Sequence, residues 1–336
     1  MNKLMLGAAA VALTLAVSPA FAADDSGVKL GLGGYFKGYV NYSSQDDAKR
    51  VDFLRDTEVH FGGETTLDNG LTVGAHIEAT ADGADNFDVD ESYVYFAGSW
   101  GRVNAGKEDG AAYLLQVAAP SADDNIDGIR QFINPTSFTG ADYAADASRV
   151  GDKVTYLSPV FSGFQAGASY TPDISGATSG GNRSNTGDEA ATEAAVRYEG
   201  MVGSVGLIAG AGYTTTTQDA DQWNAGVDLD IGAFGLGAVY RDTNAGNVNS
   251  VLLDDNKTWA LGADYTTGPF KLGASYLNSD TDALTGVTDR YAAGVVYSYG
   301  PGMTFRGSVN YTEADNAPAG SDDDATTVTV GTQVNF

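Results

Sequence analysis

His60 and His76 are the only two histidines in a chain of 336 residues. They fall on consecutive runs of alternating apolar and polar residues joined by the turn formers Asp68-Asn69-Gly70. A tight hairpin there sets His60 opposite about residue 77, which brings His76 and Glu78 within cross-strand reach. Glu58, two residues before His60, lies on the same strand face. Imidazoles and carboxylates so placed could hold a metal ion or titrate near neutral pH; a hydrogen-bonded polar wall is the plainer alternative. Hydrolysis would also need a nucleophile whose base is held by a third group. No serine sits in a G-x-S-x-G setting, so such chemistry would require Ser or Asp beside one of the two histidines, and no enzymatic activity is expected.

A second group of candidates is acidic. Asp123-Asp124-Asn125-Ile126-Asp127 and Ser321-Asp322-Asp323-Asp324 offer the oxygen donors that suit Ca²⁺. Neither has the ligand spacing and glycine of a calcium loop, so solvated charge is the simpler reading and no cofactor is expected. The whole chain carries 44 acids against 18 bases, a formal charge of −26, which argues against a nucleic-acid partner. Its 18 Tyr and 14 Phe separate it from acidic disordered chains, which are poor in aromatics. With no cysteine, it has neither disulfides nor thiolate metal sites.

The elements that must position these residues are strands. Lys3, the apolar run Leu4 to Val17 and the small-residue site Ala20-Phe21-Ala22 read as a signal peptide over residues 1–22. That run is shorter than the roughly 20 residues of a membrane-spanning helix. The mature chain, 23–336, has no longer apolar run, so it could enter a membrane only as a closed barrel that pairs every backbone group. Its period is two almost throughout. Val28, Leu30, Leu32, Phe36 and Val40 lie on one face of the first strand, and Lys29, Tyr35, Lys37 and Asn41 on the other. Similar segments bring the count to sixteen, at 28–43, 52–66, 71–81, 89–98, 102–108, 149–158, 164–171, 190–199, 204–216, 221–231, 234–242, 257–266, 270–277, 289–299, 303–311 and 326–336.

Short connections rich in Gly, Asn and Pro alternate with long polar ones, as in outer-membrane barrels. Tyr42, Tyr170, Tyr213, Tyr240, Tyr276 and Tyr311 sit beside the long connections, and Phe164, Phe234 and Phe270 beside the short ones. These form two interfacial belts. The fold class is therefore all-β, a transmembrane antiparallel β-barrel of sixteen strands. A barrel of that size leaves an aqueous lumen. The longest gap, 109–148, reads as a functional loop, able to sit in water and narrow the lumen. It holds Asp123, Asp124, Asp127, Asp142 and Asp146 with Arg130 as its only base.

The chain resembles the sixteen-stranded general porins of Gram-negative outer membranes. The residues that carry the resemblance are Phe61-Gly62-Gly63-Glu64 with Leu67-Asp68-Asn69-Gly70-Leu71, Glu91-Ser92-Tyr93-Val94-Tyr95-Phe96, Trp100-Gly101 and Ala105-Gly106-Lys107. Arg149 to Tyr156, Ser158-Pro159, Ser162-Gly163-Phe164 and the terminal Phe336 extend it over the mature chain. The resemblance implies a homotrimer in outer-membrane lipid that passes small hydrophilic solutes by diffusion. It also implies that 109–148 is a constriction loop folded into the lumen and facing bases on the wall.

In the family register Arg149 occupies an arginine position, and Lys37 and Lys153 lie on the polar face of their strands. Glu58 and Asp90 stand where the family usually has arginine. The expected constriction thus comprises Asp123, Asp124, Asp127, Asp142, Asp146, Lys37, Glu58, His60, Asp90, Arg149 and Lys153. Its acidic balance predicts a cation preference, since rings of acidic side chains select cations. The alternatives are a barrel hydrolase and a structural or adhesion barrel with a plugged lumen.

Overall fold

The computed structural model describes residues 27–336 except 47, 82–86, 175–189, 246–254, 282–285 and 316–322. The expected signal peptide, most of the long connections and the Ser321-Asp322 part of the second acidic run therefore lie outside the described residues.

Sixteen strands form. They begin with β1 (Lys29–Ser43), β2 (Val51–Thr66), β3 (Thr72–Thr80), β4 (Asp88–Gly98) and β5 (Gly101–Glu108). After the long segment come β6 (Gly151–Leu157), β7 (Phe164–Thr171), β8 (Ala191–Val202), β9 (Val205–Thr216) and β10 (Asp221–Ile231). The remainder are β11 (Phe234–Asn244), β12 (Asn256–Thr267), β13 (Phe270–Thr281), β14 (Gly286–Gly300), β15 (Met303–Ala314) and β16 (Asp324–Asn335). Each pairs antiparallel with its sequence neighbours, and β16 returns to β1 to close the barrel. Tyr35 faces Asn335 in that seam, and Gly34 and Phe336 exchange backbone hydrogen bonds of 3.0 and 3.1 Å. Closure leaves no sheet edge unpaired.

The two faces separate as the alternation predicts. Leu30, Leu32, Phe36, Val40 and Tyr42 of β1 are exposed, whereas Lys37, Tyr39, Asn41 and Ser43 are buried. The aromatic belts lie on the exposed face, built from cross-strand pairs. Phe164 packs on Tyr198, Phe234 on Tyr265 and Phe270 on Tyr297, with ring centroids 4.7 to 4.9 Å apart. Near the long connections Trp223 pairs with Tyr240 and Trp259 with Tyr276, both at 4.9 Å. Such contacts add stability beyond the area they bury. No helix among the described residues is long and apolar enough to cross a membrane.

The long connection runs from Asp109 to Val150, two residues beyond the expected 109–148, because β6 begins only at Gly151. It contains two single-turn helices that the sequence pattern did not reveal, α1 (Ala111–Leu114) and α2 (Asp124–Asp127). Asp123 caps α2 by accepting the Asn125 N–H. Two apolar clusters join this segment to the polar face of the barrel. Tyr143, Ala119 and Ala141 pack with Val239, Ala260 and Leu277, and Ile126 and Ile133 pack with Tyr39 and Leu54.

Candidate functional site

The path of the 109–150 segment is set by strand positions that lack a side chain. Gly167, Gly210, Gly226, Gly237, Gly262 and Gly273, on β7 and β9 to β13, meet successive parts of residues 111–122. A methyl group at Gly273 would lie 2.5 Å from the Ala122 backbone nitrogen, and one at Gly237 would lie 2.6 Å from Pro120 Cδ. At Gly262 it would fall on the Pro120 carbonyl oxygen. Six glycines on one face thus form a track against which the backbone and short side chains of the segment pack closely.

Basic and polar side chains fasten the segment beyond the track. Arg197 donates to the Gln116 carbonyl at 3.0 Å, Arg290 to that of Ala141 at 2.9 Å and Arg241 to that of Ala144 at 2.8 Å. Arg306 Nη1 lies 2.6 Å from carboxylate oxygens of both Asp123 and Asp124. Glu193 accepts the Ala112 N–H at 2.8 Å, so α1 is held by its backbone. Asn41 of β1 donates to the Pro135 carbonyl at 2.7 Å. The segment therefore touches β1 and β6 to β16 but leaves most of β2 to β5 uncovered.

A recess of about 420 Å³ lies there, bounded by Tyr113, Arg130 and Phe132 of the segment. Six carboxylates line it, Glu58, Glu78, Asp90, Glu91, Glu108 and Asp109, with Arg102, Arg130 and His60 as the basic groups. Arg130 is committed to Asp109 through two bonds of 2.6 and 3.0 Å and stacks on Tyr113 at 3.9 Å. Arg102 lies 4.0 Å from the Tyr95 ring centre and donates to Asn104, and Asn104 donates to Glu108. The recess thus keeps an acidic excess.

Several expected site residues have other partners. Asp123 and Asp124 share Arg306, Asp142 lies 3.5 Å from Arg241 and Asp146 lies 3.9 Å from Arg130. Asp123 also accepts from Tyr39 at 2.7 Å, so its oxygens are taken up by protein groups rather than left open for Ca²⁺. Asp127 is buried and accepts from Ser275. Burial pushes its carboxyl up to about 6, against the pull of that hydrogen bond and of Arg290.

The expected wall bases need correction. Arg149 is not on the wall. It sits at φ 53° in a turn closed by its N–H on the Asp146 carbonyl, and its side chain is exposed. Lys153 is 3 % exposed and donates to the Glu108 and Arg149 carbonyls and to Ser148 Oγ, so it ties the two ends of the segment together. Lys37 pairs with Asp56 at 2.8 Å and lies 3.5 Å from the Phe132 ring centre. Glu58 and Asp90 do line the recess. Asp90 is re-aimed by a bulge between Glu78 and Ala79, and Thr80 donates to it.

The expected histidine pair also forms. The register sets His60 opposite Glu78 and His76 opposite Gly62, one residue away from the expected offset. His60 Nε2 lies 2.7 Å from Glu58 Oε1, His60 Nδ1 lies 3.3 Å from Glu78 Oε2, and His76 Nε2 lies 3.5 Å from the same oxygen. The ring centroids are 5.5 Å apart. Among the described residues no serine or aspartate hydrogen-bonds either ring, so the arrangement offers no nucleophile. Arg197, Arg241, Arg290, Arg306, Glu91 and Glu108 were not singled out by sequence. The available signal for the first four was a base on the polar face of a late strand, opposite an acidic segment.

Residues 8–333 match the family model described as Gram-negative porin. No curated protein matches. Among solved structures, an anion-selective porin from Comamonas acidovorans superposes with a TM-score of 0.66 at 19 % identity, over 92 % of this chain and 100 % of that one. A porin refined at 1.8 Å resolution gives 0.63 at 20 % identity, over 92 % and 100 %. The trimer form of in-vitro folded OmpT from Vibrio cholerae gives 0.61 at 14 % identity, over 92 % and 99 %. At these identities the likeness is one of fold.

Proposed function

We propose that this chain, which belongs to the Gram-negative porin family, forms a water-filled, non-enzymatic channel across the outer membrane for passive diffusion of small hydrophilic solutes and ions, with a preference for cations. On this reading the polar face lines the lumen and the 109–150 segment lies within it as the constriction. Its bonds to polar-face residues around most of the circumference support that placement. The passage then runs along the uncovered sector of β2 to β5.

The observation that carries the cation preference is the lining of that sector, six carboxylates against two arginines and one histidine. Low-dielectric walls focus such a potential, and acidic linings select cations. The anion-selective neighbour does not bear on this, because charge placement is not inherited with a fold at 19 % identity. A reversal potential under a KCl gradient tests the proposal. A cation-selective sign that shrinks as salt rises is expected, because the Debye length falls from about 10 Å at 0.1 M to about 3 Å at 1 M. An anion-selective sign at low salt overturns it.

The proposed assembly is a homotrimer in outer-membrane lipid, joined through the first and last strands, as in the family. Phe53 of β2 and Val330 of β16 are 79 % and 62 % exposed on the apolar face near the seam. Native mass in mild detergent checks this, and a conducting monomer contradicts it.

A further inference from the structure

We propose that His60, His76 and Glu78 form a binding site for a divalent transition-metal ion of the zinc type on the wall of the recess, oriented by Glu58. The chain's only two histidines converge there, with one ligand atom from each of the three residues and none more than 4.8 Å from another.

The two separations from Glu78 suit a shared metal ion. Ligands bound at about 2.0–2.1 Å in a tetrahedron lie roughly 3.3 Å from each other. Glu78 Oε2 stands 3.3 Å from His60 Nδ1 and 3.5 Å from His76 Nε2, the second too long for a strong hydrogen bond. Imidazole with carboxylate suits zinc and copper, whereas Ca²⁺ prefers oxygen donors alone.

His60 has the support a metal-bound imidazole requires, a carboxylate on its other nitrogen. Glu58 Oε1 lies 2.7 Å from His60 Nε2, which turns Nδ1 toward Glu78, and Tyr35 donates to the second Glu58 oxygen at 2.9 Å. The second observation is the inward nitrogen of His76. Its side chain is 1 % exposed, and Nε2, the nitrogen that faces Glu78, has only the long contact to it. A nitrogen so buried normally has a closer partner, which an ion shared with Glu78 would supply. His60 and Glu78 also border the recess, so an ion can reach them and water can complete its coordination.

The test is calorimetric titration of ZnCl₂ into the folded full-length barrel in detergent at pH 7.5, with heat-resistant gel migration as the check on folding. One Zn²⁺ per chain is expected, undisturbed by a hundredfold excess of CaCl₂. His60→Ala, His76→Ala and Glu78→Gln should each weaken binding at least tenfold. Glu58→Gln, which removes only the orienting group, should weaken it by about 10- to 100-fold. If His76→Ala fails to fold, the more exposed His60→Ala carries the test. No binding to the wild type, or binding unchanged in His60→Ala, overturns the site. Because the readout is heat rather than current, it stands or falls separately from the channel reading.

Discussion

Arg306 of β15 and Asp123 of the long connection, 183 residues apart in sequence, meet at 2.6 Å with side chains 9 % and 2 % exposed. Removing one member of a buried pair leaves the other uncompensated. Arg306→Ala should therefore weaken docking of the segment by about 3 kcal/mol. Limited proteolysis of intact cells and the noise of single-channel current check this. Cleavage within 109–150 should become faster than in the wild type and the open-channel current noisier.

The glycine track predicts a second, steric effect. In Gly262→Ala the new methyl group falls on the Pro120 carbonyl, so the segment must shift, at about 1–3 kcal/mol. Gly300→Ala is the control, since nothing lies within 4 Å of its Cβ position. Single-channel conductance should change in the first variant and not in the second.

Asp127 makes docking pH-dependent. Its carboxyl is raised to about 6, so the folded chain retains that proton up to about pH 6 while an unfolded aspartate releases it near pH 3.9. The contribution of this group is fully present below about pH 4 and is lost as pH rises through 6. It should amount to something on the order of 2–3 kcal/mol. Thermal unfolding at pH 4 and pH 7 measures it as the wild-type difference minus that of Asp127→Asn, which has no proton to lose.

Selectivity should reside in the uncovered sector. Neutralising Glu58 and Asp90 together as Gln and Asn should reduce the cation-to-anion permeability ratio at 0.1 M salt, where the Debye length of about 10 Å still lets these charges act across the recess. Asp142→Asn, whose carboxylate lies beside Arg241, should change the ratio less. Reversal potentials of the two variants decide between the wall and the segment as the seat of selectivity.

The strand count, the two faces, the belts and the near-opposition of His60 and Glu78 were legible because each depends on local alternation or on one short turn. The partners of the acidic segment were not. Asp123 meets Arg306 and Asp142 meets Arg241 only once the barrel closes, and alternation records which face a residue takes but not what lies across the interior. Lys153 shows the same limit. Two of the three acceptors that occupy it come from the end of the segment and the third from Glu108 just before its start. Asp90 was displaced from the simple period by a bulge that no turn residue announces.

The track also divides the inheritance of this protein in two. Where the segment runs is written on β7 and β9 to β13, in positions whose information is the lack of a side chain. On the channel reading, what the segment would present to a passing solute is written in the segment itself. A substitution at Tyr113 or Phe132 can retune the passage without redirecting the backbone, whereas one added carbon at Gly262 redirects the backbone without altering any charge. Route and lining can therefore drift at different rates in related chains, and variation at Gly262 should be coupled to variation at Pro120 rather than to the chemistry of the solute.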